Sequence, residues 1–290
     1  MLLPNPCTSA SSTVRPPVSF FLQGPVGNLF AMYYPPSEST AEAGDVLYVH
    51  PFADEMPASR NVIASVSRDL ARMGFGVMMI DLSGCGDSEG EFGEARWESW
   101  RQDLAAAVGW LRERGRDRVS LWGLRLGAFL ALDFAVQSRE SYERIVLWEP
   151  VLNGQALMTE FLRMHLDEAR DGLVAKQWTD PETREGLASG DRVEIAGYEL
   201  GAELIRSIDK LNLVTLGRTL RCPIHWVEVG TKFGHSLRRE SVSVIDEWKN
   251  RGVRVLPHQI SASPFWLFPY SADPQRLSAA LPAMFSEAES

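Results

Sequence analysis

Cysteine is scarce in this sequence. Cys7, Cys85 and Cys222 are odd in number and far apart, so they frame neither a disulfide set nor a paired metal site, which suits a reducing cytosol. Basic residues are outnumbered, 29 Lys and Arg against 38 Asp and Glu, for a net charge of -9. That balance argues against nucleic acid as a partner, because phosphate backbones need a basic surface. The densest basic stretch, Arg112 to Arg118, is interrupted by Glu113 and Asp117 and reads as a solvated helix end. No apolar run approaches the about 18–20 residues of a membrane span. The opening MLLPNPCTSASSTVRPP has no basic start and no useful apolar core; residues 1–17 read as a flexible leader, not a secretory signal. H-E-x-x-H, Walker and C-x-x-C patterns are missing too. No metal or cofactor is expected, and the expected location is the cytoplasm.

What is present is a chain of 290 residues, 45% apolar and 23% charged, enough for one large domain with an insertion. An opening hairpin is predicted over 18–23 and 29–34, around Gly-Pro-Val-Gly. Apolar runs follow at 46–50, 75–81, 118–122, 144–148, 224–230 and 253–257. The first four alternate with segments of helical period at 59–74, 94–115 and 126–138. Continuous apolar strands between amphipathic helices imply a mostly parallel sheet with helices on both faces. The rhythm breaks between 151 and 222, where helices are predicted over 155–175 and 197–211 with one weak strand near Val193. That segment reads as a helical cap or lid. The core is then 18–150 and 223–290, closing on a helix over 274–285.

The stretch 118-RVSLWGLRLGA-128 carries the most information. A buried strand meets a helix through Gly-x-Arg-x-Gly. Small residues at Gly123, Gly127 and Ala128 suit the sharp turn that elsewhere exposes a nucleophilic serine, Gly-x-Ser-x-Gly. Two further loops stand at strand ends: 50-HPFADE-55 and 81-DLSGCGDSEG-90.

Together these motifs resemble the α/β-hydrolase superfamily. More narrowly, HPFADE, DLSGCGDSEGEF, WGLRLGA, WEPVLNG and the late PFW resemble the exosortase A-associated hydrolase 2 group, found with bacterial exopolysaccharide and protein-sorting gene sets. The resemblance implies an α/β-hydrolase fold, an oxyanion-hole loop at His50–Glu55, and a triad in the order nucleophile, acid, His. The residues do not supply that triad. The centre of the turn is Arg125, a permanent cation that only donates and is neither nucleophile nor base. After 224-IHWVEVG-230 comes 230-GTKFGHSL-237, without Asp, and Glu228 is the one nearby carboxylate. His258 stands within or immediately after the strand of the 253–257 run, while the loop tip 261-SASPFW-266 carries Pro264 where a base would stand.

A guanidinium at a helix N-terminus opposes the helix dipole and costs several kcal/mol to bury unpaired. Arg125 therefore needs an anionic neighbour. Glu149 and Glu228 are the favoured ones, with Asp54 and Glu55 ranked below them. Two readings follow: a salt bridge that plugs a dead site, or an Arg-centred pocket that binds a small anionic or acyl-bearing ligand. The expected pocket residues are Arg125, His50, Phe52, Leu124, Leu126, Glu149, Glu228, Phe265 and Trp266. A third reading keeps catalysis, with Cys85 or an activated water attacking an ester or thioester and His50 or His258 as base. Against it, a free Cys is usually just buried. Ser83 and Ser88 read as loop hydroxyls, His50 as a hydrogen-bonded strut, and His235 as a cap or surface residue. His165 and His225 give no site signal. A fourth reading is a catalytically dead interaction module whose 265-FWLFPY-270 cluster docks another biosynthetic protein, packing against the cap being the plainer role.

Overall fold

A computed structural model describes residues 15–38, 40–138, 140–167, 193–195, 197–216, 220–230, 236–268 and 273–285. The expected leader lies almost wholly outside these residues. Strand β1 (Val18–Gln23) and β2 (Asn28–Tyr34) form the opening hairpin. Then come β3 (Gly44–Val49), α1 (Glu55–Arg72), β4 (Phe75–Ile80), a single 3-10 turn (Phe92–Glu94) and α2 (Trp97–Arg112). β5 (Val119–Leu124), α3 (Leu126–Ser138) and β6 (Ile145–Trp148) follow.

Here the chain leaves the sheet. It forms α4 (Gly154–Asp167), a small antiparallel pair β7 (Val193–Ile195) and β8 (Tyr198–Leu200), then α5 (Ala202–Asp209) and the single turn α6 (Leu213–Leu216). It returns through β9 (Ile224–Gly230), α7 (Arg239–Asn250), β10 (Val255–Ser261), α8 (Pro274–Ala279) and α9 (Leu281–Phe285).

The main sheet has eight strands in the order β1-β2-β4-β3-β5-β6-β9-β10. The pairings from β4 to β10 are parallel, while β1–β2 and β2–β4 are antiparallel. The alternation of strands and helices anticipated this mostly parallel sheet, and the motif resemblance implied its α/β-hydrolase architecture. Side chains alternate between two cores. Leu121, Leu147 and Val49 face α2, α3 and α7, whereas Trp122, Trp148 and Tyr48 face α1, α8 and α9. Helix α3 is buried from Leu126 through Ala135, with no polar face. It therefore sits at the centre of the layer and fixes the turn before it rigidly.

Three expectations need correcting. The helix foreseen over 197–211 begins only at Ala202, because 198–200 pairs with 193–195 as β8. The last strand begins two residues later than the apolar run and continues to Ser261. Pro257 lies inside it, tolerated because β10 is the sheet's edge and a proline there forfeits no ladder bond on the open side. The terminal helix is two helices, α8 and α9, with Pro282 in the first turn of the second. Among the described residues no helix is long and apolar enough to cross a membrane.

Candidate functional site

The site lies at the carboxyl ends of β3, β5 and β6, where open parallel sheets bind their ligands. The strand-to-helix turn at Arg125 is the sharp elbow its glycines announce. Arg125 has φ 56°, in the left-handed region, a conformation that costs a non-glycine residue on the order of 1–3 kcal/mol. Its N–H donates to Trp148 O at 2.9 Å, tying the elbow to β6. A Cβ on Gly123 would stand 2.4 Å from the Ala128 Cα, and one on Gly127 2.3 Å from Val49 O and 2.4 Å from His50 O. Gly127 is required because the end of β3 passes hard against the turn, and Gly123 because the turn folds the start of α3 back onto it.

Arg125 does not reach Glu149 or Glu228. Its Nε donates to Glu55 Oε1 at 2.8 Å and its Nη2 to Glu160 Oε2 at 3.2 Å. Glu55 opens α1 directly after the β3 loop, and Glu160 lies on α4. The favoured partners are committed elsewhere. Glu149, also left-handed with φ 47°, accepts from Val229 N–H at 2.9 Å and pairs with Arg238 Nη1 at 2.5 Å. Glu228 accepts from Arg238 N–H at 2.9 Å and from its Nε at 3.2 Å. Arg238 thus takes both carboxylates at the β6 and β9 ends, and Glu55, ranked lower in the sequence, wins Arg125 because the β3 loop turns its helix over the elbow.

The Arg125 side chain is 12% exposed and that of Glu55 10%, while that of Glu160 is 48%. Burial pulls the Arg125 pKa down, but Glu55 and Glu160 outweigh it and push it above its ordinary value. Burial raises the Glu55 carboxyl above the usual carboxylate range, against the pull of Arg125. The guanidinium Cζ also lies 5.8 Å from the centre of the Trp266 ring.

Two cavities flank the Arg125–Glu160 pair. One, of about 220 Å³, is walled by Phe52, Leu157, Phe161, Trp266 and Leu267, with Asp54, Glu55, Ala58, Arg125 and Glu160 completing it. The other, of about 340 Å³, runs from Arg125 and Glu160 to Pro150, Asn153, Arg238 and Glu240. Leu157 lines both, so α4 and the ion pair form the wall between them.

Of the remaining sequence candidates, Phe52 and Trp266 line the smaller cavity and the others do not. Leu124 and Leu126 are core residues of the two faces. Phe265 is fully buried, edge-on to Trp148 and Trp266. Trp266 is buried too, whereas Phe268 of the same loop is 60% exposed; Pro269 and Tyr270 lie outside the described residues.

His50 is a strut. Its Nδ1 contacts Pro51 O at 2.7 Å, and since a carbonyl only accepts, Nδ1 carries the proton; Nε2 then accepts from Leu82 N–H at 3.2 Å. Both nitrogens are used, and burial lowers its pKa. His258 sits within β10, its Nε2 3.0 Å from His225 Nδ1 with the rings stacked, instead of on the loop after the strand. Cys85 is a buried residue of the Asp81–Gly90 loop, where burial first, then Asp81 and Asp103, push its thiol pKa up. Thus none of the three catalytic candidates reaches the cavity over the elbow. His235 lies outside the described residues, as does the side chain of His165.

Sequence reasoning missed Glu160, Leu157, Phe161 and Arg238. Nothing in linear spacing says which α4 residues face the elbow. The one usable signal was the i, i+3, i+4 set Leu157, Glu160, Phe161 on a single helix face. Among the described residues no three His, Cys, Asp or Glu side chains gather as metal ligands.

The comparisons agree with this architecture. The chain is similar to Est1E from Butyrivibrio proteoclasticus, solved with ferulic acid bound, at 15% identity and a TM-score of 0.66 over 91% of this chain and 97% of that one. It is also similar to an esterase from Pyrococcus furiosus, at 13% identity and a TM-score of 0.60 over 98% and 95%. A serine hydrolase without a lid from Xanthomonas campestris matches at 15% identity and a TM-score of 0.54 over 98% and 100%. At such identities the likeness is one of fold. No curated protein matches the chain. The family model described as serine aminopeptidase, S33, matches residues 42–200, more than half of the chain. By that match, and with the elbow and sheet order in place, the chain belongs to this family of α/β-hydrolases.

Proposed function

We propose that this chain is a degenerate α/β-hydrolase that binds a small acyl-bearing or otherwise largely apolar ligand over the elbow and does not hydrolyse it through a serine triad. The single observation that carries the reading is Arg125, left-handed at the elbow's centre and paired with Glu55 and Glu160. A guanidinium in that position cannot attack a carbonyl, and no described histidine lines the adjoining cavity. The ring and leucine walls suit an acyl or aryl body. The anionic ligand that Arg125 alone suggested is disfavoured: Asp54, Glu55 and Glu160 oppose one guanidinium in the lining. Segment 151–222 serves as the cap, α4 being its part over the elbow. The motif run from HPFADE to PFW supports a place in an exopolysaccharide or exosortase A-linked system.

The test is ester turnover. Purified protein should hydrolyse p-nitrophenyl acetate and a feruloyl ester no faster than buffer. Turnover that is lost on filling the cavity with Ala58→Trp would overturn the proposal. It would favour the activated-water alternative, since Cys85 lies away from the cavity.

A further inference from the structure

We propose that the open edge of β1 docks a second copy of this chain, joining two sheets across a two-fold axis through Phe21. The two edges of the sheet are built differently. β10 carries Pro257, which withholds a donor and blunts that edge against a further strand. β1, VSFFLQ, has neither proline nor charge, the two devices that ordinarily protect an edge. Apolar exposure gathers on the same hairpin: Val18 is 55% exposed, Phe21 60%, and Val26 at its tip 53%.

The hairpin's register fixes where the backbone groups of β1 point. In an antiparallel ladder the N–H and C=O of one residue point the same way, and the sense alternates along the strand. Gly24 N–H donates to Gly27 O across the turn, while Phe30 O accepts from Asp81 N–H on the β4 side. Phe30 therefore turns toward β4, and Phe21 opposite it turns away from β2. Ser19, Phe21 and Gln23 thus present their backbone groups to the open edge, and Val18, Phe20 and Leu22 turn theirs to β2.

That spacing is its own complement. With Phe21 on the axis, Phe21 of each copy faces the other, and Ser19 faces Gln23 of the second copy. Every outward N–H then finds a carbonyl. The registers on either side set Pro25 opposite Ser19, or Pro17 opposite Gln23, and a proline has no N–H to give. The side chains agree. Phe21 and Phe30 already meet edge to face at 5.7 Å, and the pairing brings two such pairs together where Phe21 now stands in solvent. On the other face Phe20, stacked on Trp110 at 4.6 Å, comes opposite Leu22 of the second copy. Both copies carry a net charge of -9, and the uncharged β1 lets them meet without opposing like charges. The elbow stands on β5, with β2, β4 and β3 between it and this edge. The dimer therefore leaves both sites open and does not depend on what they bind.

Sedimentation velocity on the full chain from about 1 to 200 µM should show a monomer–dimer equilibrium, because a single strand pair makes a small interface that dissociates on dilution. Phe21→Lys opposes two like charges on the axis and should weaken association about tenfold or more, with the thermal midpoint kept because the site is exposed. A second test holds if that variant fails to fold. Ser19→Lys with Gln23→Lys should weaken the dimer, whereas Ser19→Lys with Gln23→Glu should keep it, since positions 19 and 23 face each other in this register. Phe21→Cys should give a disulfide-linked dimer above the wild-type background on mild oxidation, as opposed hydrogen-bonded residues stand about 5.5 Å apart at Cα. A wild type that stays monomeric at every concentration would overturn the proposal. So would a dimer indifferent to Phe21→Lys and to the paired lysines.

Discussion

Arg125 and Glu55 are 70 residues apart in sequence and 2.8 Å apart in space, joining the turn after β5 to the first turn of α1. The contact sets an ion pair at the centre of the elbow, and it governs the first prediction. Arg125→Ala strips a buried carboxylate of its cation and should cost about 3–5 kcal/mol in urea denaturation. Glu160→Gln, at the exposed end of the same triad, should cost no more than about 1 kcal/mol. Equal losses would mean that Glu160, not Glu55, anchors the guanidinium.

Two glycines make a matched pair. Gly127→Ala would drive a methyl into Val49 O and His50 O, so the variant should be severely destabilised or fail to fold. Gly109 lies in α2 with open space around its Cα. Gly109→Ala should therefore stabilise the protein by about 0.5–1 kcal/mol, read as a rise in the thermal midpoint.

Asp103 gives a pH dependence. It is fully buried and accepts from Ser83 N–H at 2.7 Å and Ser83 Oγ–H at 2.8 Å. Burial nonetheless raises its pKa to about 6, because two hydrogen bonds offset only part of the desolvation. The folded state thus holds the proton more tightly than the unfolded chain, whose Asp titrates near ~3.9. The resulting stabilisation is full below about pH 4 and lost as pH rises through 6. Stability measured across that window should lose this slope in Asp103→Asn.

The histidine pair acts in the opposite sense. Burial, then His258, lowers the His225 pKa to about 3, so the ring stays neutral while the unfolded chain's histidines charge near ~6.5. The unfolded state then binds more protons, and this contribution is full above pH 6.5 and lost as pH falls toward 3. Imidazole resonances of His225 should show no protonation at pH 5. Titration near 6.5 would disprove the buried pairing.

Cys85 should resist iodoacetamide in the native protein and react once the chain is unfolded in urea, because its thiol is buried and its pKa raised. Native-state labelling would revive a thiolate mechanism.

Sheet and elbow could be read from local pattern because their signals are local: apolar runs, a helix of period 3.6, and two glycines at fixed spacing. The pairing at the site could not. Glu55 and Glu149 both stand at strand ends with similar neighbours, and the choice between them depends on Arg238, which captures Glu149 and Glu228 together. The end of the last strand was misread for a different reason. A proline ordinarily signals the end of a strand, and Pro257 does not end this one because β10 has an open edge.

The wall between the two cavities has a consequence for ligand length. Leu157 and Glu160 stand one turn apart on α4, and with Arg125 they bound both chambers. A short molecule fits on one side without disturbing the guanidinium. A longer one must part Arg125 from Glu160 before it can extend toward Asn153 and Arg238. On the proposed ligand-binding function, the Arg125–Glu160 pair is then a single electrostatic gatepost that meters chain length, set where the attacking oxygen of a hydrolase would stand.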